Sequence, residues 1–279
     1  MKGQLYIDGK DVYTNFGLHI VEQGWNGLIQ WAALKAVAYN DWHEEDGIEP
    51  DLSSPTLDSK EFTISLVGAT SRSRAMAFIE AFGGNAYHAL NAASIGRNYN
   101  VRLVSAEPIR EEAGLYFVDI TLADDFPLRG YEPQAPSSNI ERAADFLIDN
   151  MPFTDYGVRI LEGSLAEITR CADVKLNLEQ DIASQSGRIY HNGNVRYDAC
   201  EATLSCLMRA SSLTELWRNY DALLHRLTAP GTHYISVEAT GKRYPCYYMD
   251  SEVVRFYPTD KIWLEFEITI NVISTPEHL

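Results

Sequence analysis

Apolar and polar residues alternate along several stretches of the chain, and this alternation predicts β-strands. The clearest stretch is residues 264–272, LEFEITINV, in which every second residue is apolar. Residues 61–66 (EFTISL) and 201–206 (EATLSC) follow the same pattern. Such alternation is typical of strands with one buried and one solvated face, as in antiparallel sheets. We therefore expect a protein that is mainly β.

Two stretches instead show the period of an amphipathic helix. Ser212 and Glu215 form a capping-box pattern, and Pro230-Gly231 predicts where this helix stops. Its apolar stripe is formed by Leu213, Leu216, Trp217, Tyr220, Leu224 and Leu227. A shorter stripe earlier in the chain consists of Met76, Ile79 and Phe82 and is followed by Gly83-Gly84.

The chain repeats itself. Residues 13–22 read YTNFGLHIVE and residues 153–162 read FTDYGVRILE, so threonine, glycine, isoleucine and glutamate recur 140 residues apart. The alternating stretches 61–66 and 201–206 have the same spacing. Repetition at this scale indicates a tandem duplication of one domain. We expect a first domain in residues 1–125, a linker in 126–143 and a second domain in 144–279. The fold class predicted is α+β but mainly β, with two tandem antiparallel β-sandwich or barrel domains, each with one flanking α-helix.

The repeat also decides how residues 139–150 are interpreted. Their apolar residues fall at helical spacing, but LYIDG at 5–9 aligns with FLIDN at 146–150. Asp-Gly and Asp-Asn suit a hairpin turn because these residues tolerate positive φ. We therefore expect a strand at 146–148. Residues 126–138, rich in proline and without periodicity, read as linker.

Composition limits the classes of function. The net charge of −16 and the pI near 4.8 argue against a nucleic-acid-binding surface, which needs clustered Lys and Arg. Polar residues interrupt the N-terminal region after Lys2, so no signal peptide is expected, and no long apolar run predicts a membrane span. The four cysteines are Cys171, Cys200, Cys206 and Cys246, and none lies in a C-x-x-C pair. We expect reduced thiols, largely buried, with neither a disulfide framework nor a zinc site.

The densest polar cluster is the most interesting candidate for interaction. It consists of Asp41, Trp42, His43, Glu44, Glu45, Asp46 and, further on, Asp51. Carboxylates at this density could bind a divalent cation, but the spacing does not match a calcium loop. The counterpart around residues 180–188 keeps a polar, glycine-containing loop without the acid cluster. We therefore predict no metal site and treat the cluster as a solvated candidate interaction loop, called the acidic loop below.

Catalytic and cofactor motifs are missing from the sequence. It contains no H-E-x-x-H, G-x-S-x-G, phosphate-loop or dinucleotide fingerprint, so we expect neither an enzyme nor a cofactor. His88 and His233 fall at similar places in the two halves, which suggests a shared structural role. Aromatic clusters remain open to two interpretations, a carbohydrate platform or core and subunit interface; they are Trp25, Trp31, Tyr244, Tyr247, Tyr248, Phe256 and Tyr257.

Several short motifs together resemble a known family. They are Ile7-Asp8-Gly9, Phe16-Gly17, Asp41-Trp42, Gly47, Asp51-Leu52, Pro55, Leu57 and Lys60-Glu61. Their order resembles the N-terminal domain of bacteriophage distal tail and related baseplate proteins. The resemblance covers the first half, and reaches the second only through the repeat.

The resemblance implies a tail-tube-like β-sandwich that assembles into rings around the channel for DNA. A duplicated chain would then form a trimer with pseudo-sixfold symmetry or a hexamer with two stacked rings. The implied partners are other copies of the chain and other tail or baseplate proteins, with DNA passing through the lumen without specific binding. The implied location is the virion tail, assembled in the host cytoplasm. The alternatives are a carbohydrate- or receptor-binding module of the same apparatus and a hydrolase of surface glycans.

Overall fold

The computed structural model describes residues 2–84, 86–170, 172–176, 179–190, 193, 195–259 and 261–278. In the first half the strands are β1 (Tyr6–Ile7), β2 (Lys10–Asp11), β3 (His19–Ile20), β4 (Tyr39–Asn40), β5 (Glu49–Pro50), β6 (Lys60–Gly68), β7 (His88–Ala92), β8 (Arg97–Ala106), β9 (Arg110–Glu112) and β10 (Leu115–Asp124). Its helices are α1 (Val12–Phe16), α2 (Asn26–Ile29) and α3 (Arg72–Glu80).

The second half follows the same succession. Its strands are β11 (Phe146–Ile148), β12 (Met151–Pro152), β13 (Val158–Ile160), β14 (Glu179–Asp181), β15 (Arg188–Tyr190), β16 (Cys200–Ala210), β17 (His233–Val237), β18 (Lys242–Pro258), β19 (Ile262–Val272) and β20 (Glu277–His278). Its helices are α4 (Ser164–Thr169), α5 (Leu213–Leu227) and two 3₁₀ turns, Phe153–Tyr156 and Glu238–Thr240.

Each half builds one eight-stranded antiparallel sheet, and the two sheets have the same strand order. The first runs β2-β1-β7-β8-β10-β6-β3 with β9 beside β10, and the second runs β12-β11-β17-β18-β19-β16-β13 with β20 beside β18. The hairpins β4–β5 and β14–β15 stand outside the sheets at equivalent points of the chain. The prediction of a mainly β, antiparallel fold with two such units is confirmed.

The hairpin at the start of each half follows the turn chemistry of its sequence. Asp8 and Gly9 have φ of 47° and 77°, and Asp149 and Asn150 have φ of 48° and 69°. Positive φ at both central residues is the type I′ requirement, which matches the right-handed twist of the strands. The predicted strand at Phe146–Ile148 is confirmed.

The repeated motif forms a helical turn that the strand-based analysis did not anticipate. Residues 12–16 are α1, and Phe153–Tyr156 is a 3₁₀ turn. Each turn ends at a left-handed glycine, Gly17 with φ 73° and Gly157 with φ 78°. A side chain at this φ would be strained, which explains why the glycine recurs.

The two longer helices occupy equivalent places between equivalent strands, but they differ in length. Helix α5 buries the predicted stripe from Leu216 to Leu227 and leaves Leu213 half-buried. Ser212 caps the helix by accepting from the N–H of Glu215 at 3.1 Å. Glu215 accepts from the N–H of Ser211 at 2.9 Å, one residue before the position of a standard capping box. Helix α5 ends at Leu227, before the predicted stop at Pro230.

The predicted stripe on α3 is partly wrong. Ala75, Phe78 and Phe82 are buried, whereas Met76 is 41% exposed and Ile79 is half-buried. The helix spans nine residues and ends at Glu80, so Phe82 packs from the turn that follows it. The buried face of α3 therefore lies one residue before the predicted stripe, at Ala75 and Phe78 instead of Met76 and Ile79.

One hydrophobic core runs through both halves, and Trp31 of the first half and Trp217 of the second belong to it. Residues 126–143, the predicted linker, contain no helix or strand. Ser137 in this linker exchanges hydrogen bonds of 2.9 Å with the Asn219 side chain of α5. Described helices are all too short or too polar to cross a membrane.

Candidate functional site

The acidic loop lies in the β4–β5 hairpin, where the first half meets the second. Its base is formed by Tyr39–Asn40 and Glu49–Pro50. From the second half, Lys175 reaches into it and donates from Nζ to Asp41 Oδ1 at 2.6 Å and to the Trp42 carbonyl at 2.9 Å. The Gly47 carbonyl is the third acceptor. All three ammonium donors are therefore satisfied, which offsets the cost of burying Lys175, 4% exposed.

A second set of contacts holds the far side of the acidic loop. Asp46 accepts from the N–H of Tyr197 at 2.9 Å and pairs with Arg196 at 3.4 Å. The N–H of Gly47 donates to the Tyr197 carbonyl at 2.6 Å. Gly47 has φ 72°, and a Cβ there would lie 1.6 Å from the Ile273 carbonyl oxygen. Only glycine fits this approach of the two backbones.

The remaining residues of the acidic loop face solvent. Trp42 is 50% exposed, and its indole Nε1 donates to Glu49 Oε2 at 3.2 Å. His43, Glu44 and Glu45 are exposed. Asp51 lies apart from them and accepts from the hydroxyl and N–H of Ser53, which lowers the pKa of its carboxyl.

The acidic loop thus has two roles within one chain. Asp41 and Asp46 join the halves, while the side chains of Trp42, His43, Glu44 and Glu45 are exposed. Within the described part of the chain, no three His, Cys, Asp or Glu side chains are grouped as metal ligands would be. The sequence analysis missed Lys175, although a lysine recurs at 35 and 175 with the spacing of the repeat.

A second contact between the halves is made by residues 31–34, which pack on strand β18. Leu34 donates its N–H to the Met249 carbonyl at 2.8 Å, and the N–H of Trp31 donates to Ser251 Oγ at 3.1 Å. The Trp31 ring stacks on Tyr220 with 4.4 Å between centroids and meets Phe266 edge-on. Trp31 is thus a central aromatic contact between the halves.

The aromatic clusters noted in the sequence are mostly core. Trp31, Tyr244, Tyr247, Tyr248 and Phe256 are each at most 8% exposed, so they offer no carbohydrate platform. Of the remaining members, Trp25 is half-buried and Tyr257 is 44% exposed. Two further exposed rings, Tyr39 at 59% and Trp42 at 50%, belong to the β4–β5 hairpin and the acidic loop.

A cavity of about 480 Å³ lies beside this junction. Arg97 crosses it to make a bidentate pair with Asp221 at 2.6 and 2.8 Å, and its guanidinium stacks over Trp217 at 4.5 Å. Lys60 lines the same cavity, 8% exposed. Burial, with a smaller contribution from the Arg97 charge, lowers the pKa of Lys60 to about 7.

The two histidines predicted to share a structural role occupy matching positions. His88 Nδ1 lies 2.8 Å from Asp8 Oδ2, and His233 Nδ1 lies 2.8 Å from Asp149 Oδ2. Each aspartate is in the I′ turn and also accepts a backbone N–H at 2.9 Å, from Ala89 or Tyr234. The hydrogen bond from His88 is the largest cause of the lowered pKa of Asp8. Burial opposes the charge of Asp149, but His233, the Tyr234 N–H and Arg226 outweigh it and lower its pKa.

The cysteines that the structure describes are unpaired thiols. Cys206 and Cys246 are buried and Cys200 is half-buried. Burial raises the pKa of Cys246 to about 12, so this thiol is protonated and unreactive at neutral pH. The prediction for Cys171 lies outside the described residues.

Comparison with known proteins gives one structural likeness. No protein-family model matches the chain, and no curated protein matches it in sequence. Among solved structures, the chain is similar to the one titled "Crystal Structure of SPP1 Dit (gp 19.1) Protein, a Paradigm of Hub Adsorption Apparatus in Gram-positive Infecting Phages". The likeness covers 96% of this chain and 97% of that chain, with 9% identity and a TM-score of 0.34. A likeness of this degree carries no argument about function.

Proposed function

We propose that this chain is a structural component of a phage or prophage-derived tail or baseplate. It would form a ring by self-association, as a trimer or a hexamer, and dock the tail tube and distal proteins. It would act in the virion tail without turnover chemistry or a cofactor. The family resemblance of residues 7–61 supports the tail assignment, and the architecture of the two halves supports the ring.

The observation that carries the proposal is the same sheet built twice and joined by unlike surfaces. Lys175 and Arg196 of the second half bind Asp41 and Asp46 in the β4–β5 hairpin of the first half. In a contact of this kind, one unit offers a loop and the next offers the residues that bind it. Repeating such a head-to-tail contact produces a closed ring when the rotation between units permits closure.

We also propose that the halves arose by duplication, as domains 1–125 and 144–279 with the linker 126–143. The shared strand order and the paired Asp8–His88 and Asp149–His233 contacts support this. In a trimer the two domains of each chain would alternate around the axis and present pseudo-sixfold symmetry to a tail tube.

The charge of the chain suits a channel for DNA. A net charge of −16 on the lumen side would repel phosphates, so that DNA passes without binding. We therefore propose that part of this charge faces the lumen. A structure of the assembly with the acidic residues on its outer wall and a basic lumen would overturn this part of the proposal.

Solution mass together with negative-stain imaging tests the proposed function. Rings of three or six chains are the expected result. A chain that remains monomeric at its highest soluble concentration, and also when mixed with a tail-tube protein, would contradict it.

A second candidate is a carbohydrate- or receptor-binding module of the same apparatus. The exposed rings of Tyr39 and Trp42, beside the carboxylate of Glu49, are the observation that favours it. A glycan array probed with the native chain and with Trp42→Ala tests it. Binding that is lost in the variant would support this candidate, and no binding by the native chain would reject it.

A further inference from the structure

The residues that join the two halves have counterparts at equivalent positions of the other half. An isolated bridge joins Leu34 to Leu57 in the first half, and another joins Val174 to Tyr197 in the second. Both residues of the second bridge follow those of the first by 140 positions, so the two loops align at this spacing. The N–H of Lys35 donates to Thr56 at 2.9 Å, and that of Lys175 donates to Arg196 at 2.8 Å, at the same spacing.

This register pairs the residues of the Lys175 contact with counterparts of the same type. Lys35 corresponds to Lys175, Asp181 to Asp41 and Gly187 to Gly47.

The counterparts face solvent, whereas the originals are engaged. Lys35 is exposed, in contrast to the buried Lys175, and Asp181 is exposed as Asp41 is. Gly187 has φ 90° and nothing within 4 Å of its Cβ position, while Gly47 lies against the second half. The hairpin β14–β15 thus has the backbone shape of its engaged counterpart.

The strands that receive the loops are equivalent as well. Strand β18 shifts register at Met249, and this bulge accepts the N–H of Leu34. Strand β8 shifts register at Val104, opposite the corresponding pair of residues on β10. Leu34 and Met249 are partly buried around the apolar cluster of Leu52, Tyr247 and Ile273. Their counterparts Val174 and Val104 are 47% and 40% exposed.

We propose that Val174 and the hairpin β14–β15 dock on the first half of a second copy of this chain and repeat the contact found between the two halves. Lys35 of one copy donates to Asp181 and to the carbonyls of Ile182 and Gly187 of the next. Val174 packs against Val104 and donates its N–H to the Val104 carbonyl. This inference rests on the proposed self-association and names the surfaces that perform it.

Charge and apolar surface both favour a second copy as the occupant. Lys35 is basic, and the exposed strand β14 of the hairpin carries Glu179 and Asp181. Glu179 pairs with Arg188 of the same hairpin at 2.6 Å, so Asp181 is the carboxylate that we assign to Lys35. Exposed apolar side chains surround the same hairpin: Leu176 at 79%, Ile189 at 53% and Val195 at 52%. Large exposed side chains in one region mark an interaction surface. The contact is head-to-tail, so each added copy leaves the same two surfaces free until the ring closes.

A cysteine pair tests the contact directly. The variant Val104→Cys/Val174→Cys is oxidised mildly and run on non-reducing gels. We expect disulfide-linked species of two and more chains, which reducing agent removes. The two single variants and the native chain serve as controls for the native thiols. None of them should form disulfide-linked species larger than a dimer. Monomer alone from the double variant would overturn the inference.

Charge reversal gives a second, independent measurement. Lys35→Glu and Asp181→Lys should each raise the dissociation constant for self-association about tenfold, and the double variant should recover most of the loss. Lys10→Glu, on an exposed strand position, is the matched control and should change it little.

The outcomes separate the inference from the proposed function. If rings form normally in Lys35→Glu and the double cysteine variant gives no cross-link, this contact is rejected and the ring proposal still stands. A native chain that neither associates nor cross-links would reject both.

Discussion

Gly47 shows how a single residue decides whether the two halves can meet. Its backbone passes so close to Ile273 that any Cβ would overlap the carbonyl oxygen. It also accepts from Lys175 and donates to Tyr197. A substitution here therefore disturbs the φ preference, the packing and the hydrogen bonds around the acidic loop together.

We predict that Gly47→Ala lowers the free energy of unfolding by about 3 kcal/mol, because a strained φ is combined with a backbone clash. Gly187→Ala is the matched control at the same position of the second loop. Its Cβ meets nothing within 4 Å, so only the φ cost of about 1 kcal/mol remains. Urea denaturation of the dilute chain measures both, and equal losses would refute the close approach.

Lys60 is a buried ammonium whose charge the fold disfavours. Its pKa is lowered to about 7 in the folded chain from 10.5 in the unfolded one. Below pH 7 both states bind the proton and the full penalty is felt, whereas above pH 10.5 neither does. Between these values the unfolded state binds more protons, so stability due to this group rises with pH.

We predict that the native chain gains roughly 3 kcal/mol of stability from this group between pH 7 and pH 10, and that Lys60→Met loses this gain. Lys10→Met, at an exposed position, should keep the native slope. The free energy of unfolding is measured by urea at several pH values. A Lys60→Met chain with the same pH dependence as the native one would show that burial does not disfavour this charge.

At the scale of elements, strong local patterns were predictable and short turns were not. Strands β6, β16 and β19 and helix α5 agree with their sequence periods because one face of each is buried along its whole length. The strand Phe146–Ile148 came only from the repeat, against a helical pattern. Helix α1 was missed because a five-residue helix ended by Gly17 shows no full period.

The segment that carries Trp31 is an element that no local pattern could place. Its partners Tyr220, Tyr248 and Phe266 lie far along the chain, on α5, β18 and β19. An apolar residue in an irregular segment predicts burial but not the surface that buries it. The same holds for Lys175, whose acceptors lie in the other half.

We predict that Trp31→Ala costs about 3 to 5 kcal/mol of stability, because it leaves a large cavity among aromatic rings. Trp42→Ala, where the ring is 50% exposed, should change stability by less than about 0.5 kcal/mol. Thermal unfolding followed by near-ultraviolet circular dichroism measures the difference. Similar midpoints for the two variants would contradict the assignment of Trp31 to the junction.

At the scale of the whole molecule, the central feature is a repeated sheet whose internal junction is not symmetric. The repeat was readable from residues 13–22 and 153–162, and it gave the order of elements. The direction of the contact was not readable, because two equivalent lysines, Lys35 and Lys175, occupy equivalent positions. Among the described residues, the ammonium of Lys175 has acceptors in the other half, whereas Lys35 is exposed. Which lysine is engaged depends on how the two halves pack.

Because of this asymmetry, the exposed hairpin β14–β15 of the second half and strand β8 of the first half are the two surfaces that we assign to contacts with other copies. Under the proposed self-association, such a molecule would form open filaments or closed rings, according to the rotation at each contact. Closure fits a role in a tail or baseplate, where a ring of defined size must match a tube of defined symmetry.

Rotational analysis of negative-stain images of the purified chain, near its highest soluble concentration, tests this account most directly. We predict closed rings with a central channel and about six evenly spaced lobes around it, as expected for three chains with two domains each. Open filaments, or single chains at every concentration and with tail-tube protein added, would contradict it.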